Sequence, residues 1–326
     1  MKNLKRVFIG LLVFVCAFLF AGCGEEKEEK KVISIIEYVS ATALDNAKDG
    51  IIAGLKEKGF VDGENVEIVI YNPQAKADTL AQMCETAVKK SDIIFAIATP
   101  VAQALVNELD KQGSDCPVVF TAVTDPVQSN IIADAKVPGV NITGTSDINP
   151  VADQIKLAKD INSEAKKVGF IYTAGENNSI IQLNMAKAAA EELGLEIVDK
   201  ACTNSTDLEQ VATSLIGAGI DALYVPTDND VASQMALLAS ICNNAGVITI
   251  CGEEGLVHDG GTITIGSINY VELGRMTGVM GAEILEGKDA SKMAVQYFTS
   301  NDLFANKEAI AEFNLAVPEE LINKSK

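Results

Sequence analysis

Short runs of Val, Ile and other apolar residues, about four to seven long, alternate along the chain with longer stretches whose apolar positions recur at helical spacing. Ile33–Val39, Asp92–Ala98 and Pro117–Ala122 in the first half, and Val168–Tyr172, Ala222–Pro226 and Val247–Cys251 in the second, predict strands. Each leads into a short polar loop that opens a helix: Ser40–Asp45, Thr99-Pro100, Val123–Pro126, Thr173–Ser179, Thr227–Asn229 and Gly252–Glu254, in that order. Near-continuous apolar strands need cover on both faces, and strands joined through helices run parallel. The pattern therefore predicts an α/β chain built from doubly wound parallel sheets.

A helix, a glycine stop and a strand recur in each half. Gly50–Gly59 leading to Val66–Tyr71 is echoed by Met185–Gly194 leading to Glu196–Val198. At 326 residues the chain exceeds the size at which one core usually keeps growing, so the repeat implies two similar lobes of roughly 130 residues each. The first lobe is expected over 32–146 plus 269–295 and the second over 147–268 plus 296–326. The chain should cross between them at Asn141–Asp147, at Ser267–Asn269 and near Ala294–Phe298, with Tyr270–Leu285 packing as a helix on the first lobe. Three crossings form a hinge that can bend while both sheets stay intact.

The N-terminus departs from this alternation. Lys2, Lys5 and Arg6 precede an uncharged apolar run from Val7 to Phe20, shorter than the ~20 residues that span a bilayer, and small residues stand just before Cys23. Residues 1–22 read as a secretion signal resembling that of bacterial lipoproteins, with Leu19–Cys23 as the lipobox and Phe20 where leucine is usual. Cys23 would be the lipidated mature terminus, and residues 23–31, with the charged run Glu25–Lys31, a solvated tether.

Removing the signal takes away three cations and no acid, so the formal charge moves from -19 to -22. Nucleic acid is thereby excluded as a partner, since phosphate backbones need clustered Lys and Arg. Arg6 and Arg275 are the only arginines, which disfavours phosphorylated and dicarboxylate ligands. Cys84, Cys116, Cys202, Cys242 and Cys251 remain after processing; with no Cys-x-x-Cys or Cys/His cluster they read as buried small hydrophobes, and neither metal nor cofactor is expected.

In open parallel sheets the ligand crevice lies beyond the carboxyl ends of the strands, where helix N-termini expose N–H groups able to hold a carboxylate without arginine. Thr99, Thr124, Asn178 and Ser179 stand at such starts, each also suited to plain capping. An ammonium group needs an acid instead. Asp228, after Tyr224-Val225-Pro226 and beside Asn229, is the first choice; Asp125, Glu253 and Glu254 occupy equivalent loops. Together these groups would suit a zwitterion. Tyr38, Leu44, Tyr172 and Tyr270 could wall an apolar pocket or simply pack in the cores. With no tryptophan, the stacking platforms that favour sugars are scarcer. An enzyme reading has little to use: His258, the only histidine, falls in a turn sequence, and Cys116, one of a conceivable racemase pair with Cys251, precedes its strand instead of following it.

Ala43-Leu44-Asp45, Ala96–Pro100, Val119–Pro126, Gly144–Asp147, Tyr172 with Gly175-Glu176 and Asn178-Ser179, and Val225–Asn229 follow in an order that resembles the solute-binding lipoproteins of ABC importers, in the group typified by tryptophan- and tyrosine-binding members. The resemblance covers essentially the whole mature chain. It implies a periplasmic-binding-protein type I-like fold, a lipid-anchored monomer on the extracytoplasmic face of the cell membrane, a free aromatic amino acid as ligand, an ABC permease as partner, and no chemistry on the ligand. It also implies that Thr99, Thr124, Asn178, Ser179 and Asp228 grip the amino-acid backbone. Where the family often reads His-Pro before Ala-Leu-Asp, this chain has Ala41-Thr42, on the side that meets the ligand's ring. A surface-adhesin role, a nucleoside or sugar ligand and, last, a cysteine-dependent racemase are the alternatives.

Overall fold

The computed structural model describes residues 30–266, 268–298 and 300–326. The signal, Cys23 and most of the tether, with Ser267 of the second crossing, lie outside the described residues. In chain order the elements are β1 (Lys31–Glu37), α1 (Thr42–Glu57), β2 (Val66–Tyr71), α2 (Ala77–Lys90), β3 (Ile93–Ile97), α3 (Thr99–Gln112), β4 (Val118–Val123) and β5 (Ile142–Ser146). There follow α4 (Val151–Ile161), β6 (Lys167–Thr173), α5 (Asn177–Leu193), β7 (Glu196–Cys202), α6 (Leu208–Gly217), β8 (Ala222–Val225), α7 (Asn229–Ala232), α8 (Met235–Asn244), β9 (Ile248–Cys251), α9 (Glu254–His258) and β10 (Ile263–Ile265). The chain ends with α10 (Tyr270–Leu285), β11 (Gln296–Tyr297), β12 (Leu303–Ala305), α11 (Lys307–Glu312) and α12 (Glu319–Lys324).

The strands form two six-stranded sheets, β2-β1-β3-β4-β5-β11 and β7-β6-β8-β9-β10-β12. Every pairing in the first is parallel, and in the second only β10–β12 is antiparallel. Strands buried on both faces explain the unbroken apolar runs. In β3, Phe95 faces the core under α1 and α10 while Ile94 and Ala96 face that under α2 and α3. The second sheet repeats this: Phe170 packs toward α4 and α5, Ile171 toward α6 and α8. Gly194 ends α5 at φ 63, the left-handed C-cap that makes the sequence repeat's glycine stop.

Helix α10 lies against α1 with almost no side chain between them. A Cβ on Gly274 would stand 2.0 Å from the Ala47 carbonyl oxygen, and one on Gly50 2.2 Å from that of Val271. This contact fastens the segment after the second crossing onto the first lobe. Two boundaries differ from expectation. β1 begins at Lys31, inside the expected tether, because Lys31 already pairs with Val66. β11 pairs with β5 through Gln296 and Thr145, so the chain stays with the first sheet until after Tyr297 instead of leaving at 295. Among the described residues no helix is long and apolar enough to cross a membrane.

Candidate functional site

The carboxyl ends of both sheets meet at a cleft whose unfilled space, counted together with the open solvent at its mouth, is about 390 Å³. From the first lobe it takes Ala41, Ala43 and Leu44 after β1, Ala122 and Thr124 at the end of β4, Tyr270 at the start of α10, and Asp147, which directly follows β5 and so stands with the first sheet although the expected boundary gave it to the second lobe. The second lobe contributes Asn178, Thr227, Asp228, Asn229 and Ala232, with Glu253 and Leu256 from the loop after β9. Of the residues singled out from sequence, Leu44, Thr124, Asn178, Asp228, Asn229, Glu253 and Tyr270 line this cleft, whereas Thr99, Asp125 and Ser179 are not among the lining residues.

Each of those three has a different local fate. Asp125 is spent on its own turn, its Oδ1 accepting from the N–H groups of Val127 and Gln128 and its Oδ2 from the Gln128 side chain. Ser179 donates to Asp228 Oδ2 at 2.7 Å. Thr99 is buried at the start of α3, and its hydroxyl has no partner. It follows Ala98, a non-glycine residue at φ 87; Ala122, two residues before Thr124, stands at φ 53. Such backbone costs of order 1–3 kcal/mol per residue and concentrates at functional loops. Here it marks the ends of adjacent strands β3 and β4.

Asp228, the expected ammonium partner, has no exposed surface and two donors on each oxygen. Oδ2 accepts from Thr173 N and Ser179 Oγ, both at 2.7 Å; Oδ1 accepts from Thr173 Oγ1 at 2.8 Å and, as N-cap of α7, from Val231 N at 2.9 Å. It ties β6 to the loop after β8 and offers no free acceptor. Glu253 is similarly committed, its two oxygens accepting from Gly255 N at 2.5 Å and Leu256 N at 2.9 Å. Burial, only partly offset by these N–H groups, pushes its carboxyl up to about 7.

Asp147, read from sequence only as part of a hinge, has the free acceptor instead. It is 3% exposed; Oδ2 accepts from the Tyr270 hydroxyl at 2.8 Å, and Oδ1 has no partner among the described residues. Burial pushes this carboxyl up to about 6 against the opposing effects of the Tyr270 hydroxyl, its own backbone N–H and the nearby Thr124 hydroxyl. The Tyr270 bond also links two of the interlobe crossings. Its sequence signal is an acid directly after the last residue of β5, whereas Asp228 stands three residues past the end of β8.

Glu176 is not among the lining residues but holds two that are, Asn178 and Asn229. Its Oε2 accepts from Asn178 Nδ2 and from the backbone and side-chain nitrogens of Asn229, and its Oε1 from Asp230 N. Burial and then the Asp228 charge raise its carboxyl well above the ordinary range. Tyr38 and Tyr172 do not line the cleft; Tyr172 packs edge-on against Phe170 in the second core. At the cleft mouth Thr42 Oγ1 donates across the lobes to Asp259 Oδ2 at 3.1 Å. Cys116 lies before β4, at the end of the sheet away from the cleft, and burial pushes its thiol up to about 12. All five described cysteines are free, and His258 is exposed beside Glu254.

Two doubly wound lobes joined by crossing segments, with a cleft between the carboxyl ends of their sheets, define the type I periplasmic-binding-protein fold. The sequence profile of the family described as ABC transporter substrate binding protein matches residues 32–326, and the chain belongs to that family. It is 35% identical over 291 residues to a tyrosine-binding protein of Clostridioides difficile strain R20291, spanning 89% of this chain and 83% of the relative. An ABC domain from Streptococcus pneumonia, crystallised in complex with L-Trp, is 30% identical and superposes with a TM-score of 0.84 over 91% of this chain and 99% of that one. A Clostridium difficile substrate-binding protein with adhesive properties, in a ligand-free open structure, is 36% identical but superposes with a TM-score of only 0.65 over 88% and 96% of the two chains.

Proposed function

We propose that the cleft binds one free aromatic amino acid and that the lobes close over it for delivery to an ABC permease. The observation that carries this reading is the Asp147 carboxylate, buried yet holding one oxygen without a partner among the described residues, in a cleft whose wall also includes Ala41, Ala43, Leu44, Ala122, Ala232 and Leu256. An ammonium group satisfies that oxygen best, because a buried charge needs both a counter-charge and hydrogen bonds. The Thr124 hydroxyl at the strained end of β4 suits the ligand's carboxylate, and Ala41, Ala43, Ala122 and Ala232 are small side chains on the cleft wall. The relatives named for tyrosine and crystallised with L-Trp support the aromatic class. Superposition favours the L-Trp complex over the ligand-free open relative despite lower identity, which supports a closed arrangement of the lobes here.

A thermal-shift screen of the twenty amino acids tests the ligand class. A ligand at a hundredfold its Kd stabilises by about 2.7 kcal/mol. Tyrosine and tryptophan should raise the melting temperature. Silence from the aromatic amino acids with a response to nucleosides or sugars would overturn the reading.

We propose no chemistry on the ligand, in keeping with the family's description as substrate binding. We propose further that Cys23 is acylated and holds the monomeric protein on the extracytoplasmic face of the membrane, at the surface of a single-membrane cell; Cys23→Ala should release it into the medium. A second, adhesive role draws on the relative described as having adhesive properties, and is tested by whether purified protein blocks cell attachment.

A further inference from the structure

Two buried acceptor oxygens in the cleft have no partner among the described residues, and they lie on opposite lobes: Asp147 Oδ1 and Asn178 Oδ1. Asn178 is 3% exposed at the start of α5. Its amide cannot turn over without cost, because Nδ2 donates to Glu176 Oε2 at 2.9 Å and to the Thr227 carbonyl at 2.8 Å. Reversed, the amide would set its oxygen against a carboxylate and a carbonyl. The protein thus fixes one neutral acceptor on the second lobe.

A ligand's ammonium and carboxylate share one carbon, so the groups that hold them must stand close together. Asp147 has Thr124 as its neighbour on the first lobe, and those two account for both. The acceptor on the facing wall is then available to the far end of the ligand. Resting on the aromatic reading above, we propose that Asn178 Oδ1 accepts a hydrogen bond from a donor on the ring, a phenol O–H or an indole N–H, so that the site selects tyrosine and tryptophan over phenylalanine. The physical basis is asymmetric: a ring without a donor buries the amide oxygen unpaired and forfeits the full cost of desolvating it.

Titration calorimetry of the full chain in detergent with L-tyrosine, O-methyl-L-tyrosine and L-phenylalanine tests this. Tyrosine should bind about tenfold or more tighter than either analogue, the methyl ether losing the advantage although it keeps the oxygen. In Asn178→Ala the tyrosine-to-phenylalanine ratio should collapse to about one. Equal affinities for the three ligands in the wild type, or an equal loss for all of them in the variant, would overturn the proposal and return Asn178 to the ammonium group. The wild-type series decides the question even where the variant fails to fold. If no aromatic amino acid binds at all, the underlying reading fails and takes this one with it; phenylalanine binding as tightly as tyrosine sinks this one alone.

Discussion

Replacing Asp147 with asparagine should move stability and affinity in opposite directions. In the unliganded protein the carboxyl is pushed from 3.8 up to about 6 by burial, so keeping it ionised at neutral pH costs the fold roughly 3 kcal/mol. Asparagine keeps an acceptor for the Tyr270 hydroxyl and removes that cost, so the unliganded variant should melt higher than the wild type. Binding should suffer, because the ammonium loses its counter-charge in a dry site; truncating such a pair costs about 2–5 kcal/mol, or roughly 30- to 5000-fold in Kd. Ammonium pairing also requires the proton to leave. With the carboxyl near 6, about one site in ten is ionised at pH 5, and the wild-type Kd should weaken about tenfold between pH 7 and pH 5. Calorimetry across that range, on wild type and variant, reads both effects. A variant that keeps the wild-type Kd, or a wild-type Kd flat from pH 7 to pH 5, would refute the role given to Asp147.

The unliganded protein should lose stability as pH rises. Asp147 and Asp230 are pushed up to about 6 and Glu253 to about 7, each chiefly by burial, so their folded forms hold protons that the unfolded chain has released. The stability from these protons is fully present below about pH 4 and is lost as pH climbs through about 6 to 7, a trend that scanning calorimetry would find absent if the acids were already ionised. Gly274→Ala should cost about 1–3 kcal/mol or more, since its Cβ would stand 2.0 Å from the Ala47 carbonyl oxygen and force α1 and α10 apart; an unchanged denaturation midpoint would contradict that packing. Asp228→Ala should cost about 2–4 kcal/mol by stripping partners from Thr173 N and Val231 N. Lost affinity with unchanged stability in that variant would restore Asp228 as the ammonium partner.

Much of this architecture was legible because parallel strands buried on both faces write themselves as apolar runs. Ile93–Ile97 and Ile248–Cys251 fall inside their predicted segments, and the bounds of α10 coincide with the expected helix Tyr270–Leu285. The two-residue strand β11 was beyond reach, because Gln296 and Tyr297 are exposed and are held only by pairing with β5. Within the cleft, the loops could be found but the division of labour could not. Asp228 and Asp147 both follow strands; what separates them is that Ser179, Thr173 and Val231 saturate one carboxylate, while Tyr270 takes one oxygen of the other. Those partners are 49 to 123 residues away for every contact outside the Asp228 cap, and only folding brings them in. Tyr172 misled for the same reason: a tyrosine at a strand end faces either cleft or core, and here Phe170 decides for the core.

A crystal structure of the protein grown with L-tyrosine tests the central claim most directly. One amino acid should lie between the lobes, its ammonium nitrogen about 2.7–2.9 Å from Asp147 Oδ1, the usual length of a charge-assisted bond. A ligand elsewhere on the surface, or one in the cleft whose ammonium pairs with a different acid, would contradict it.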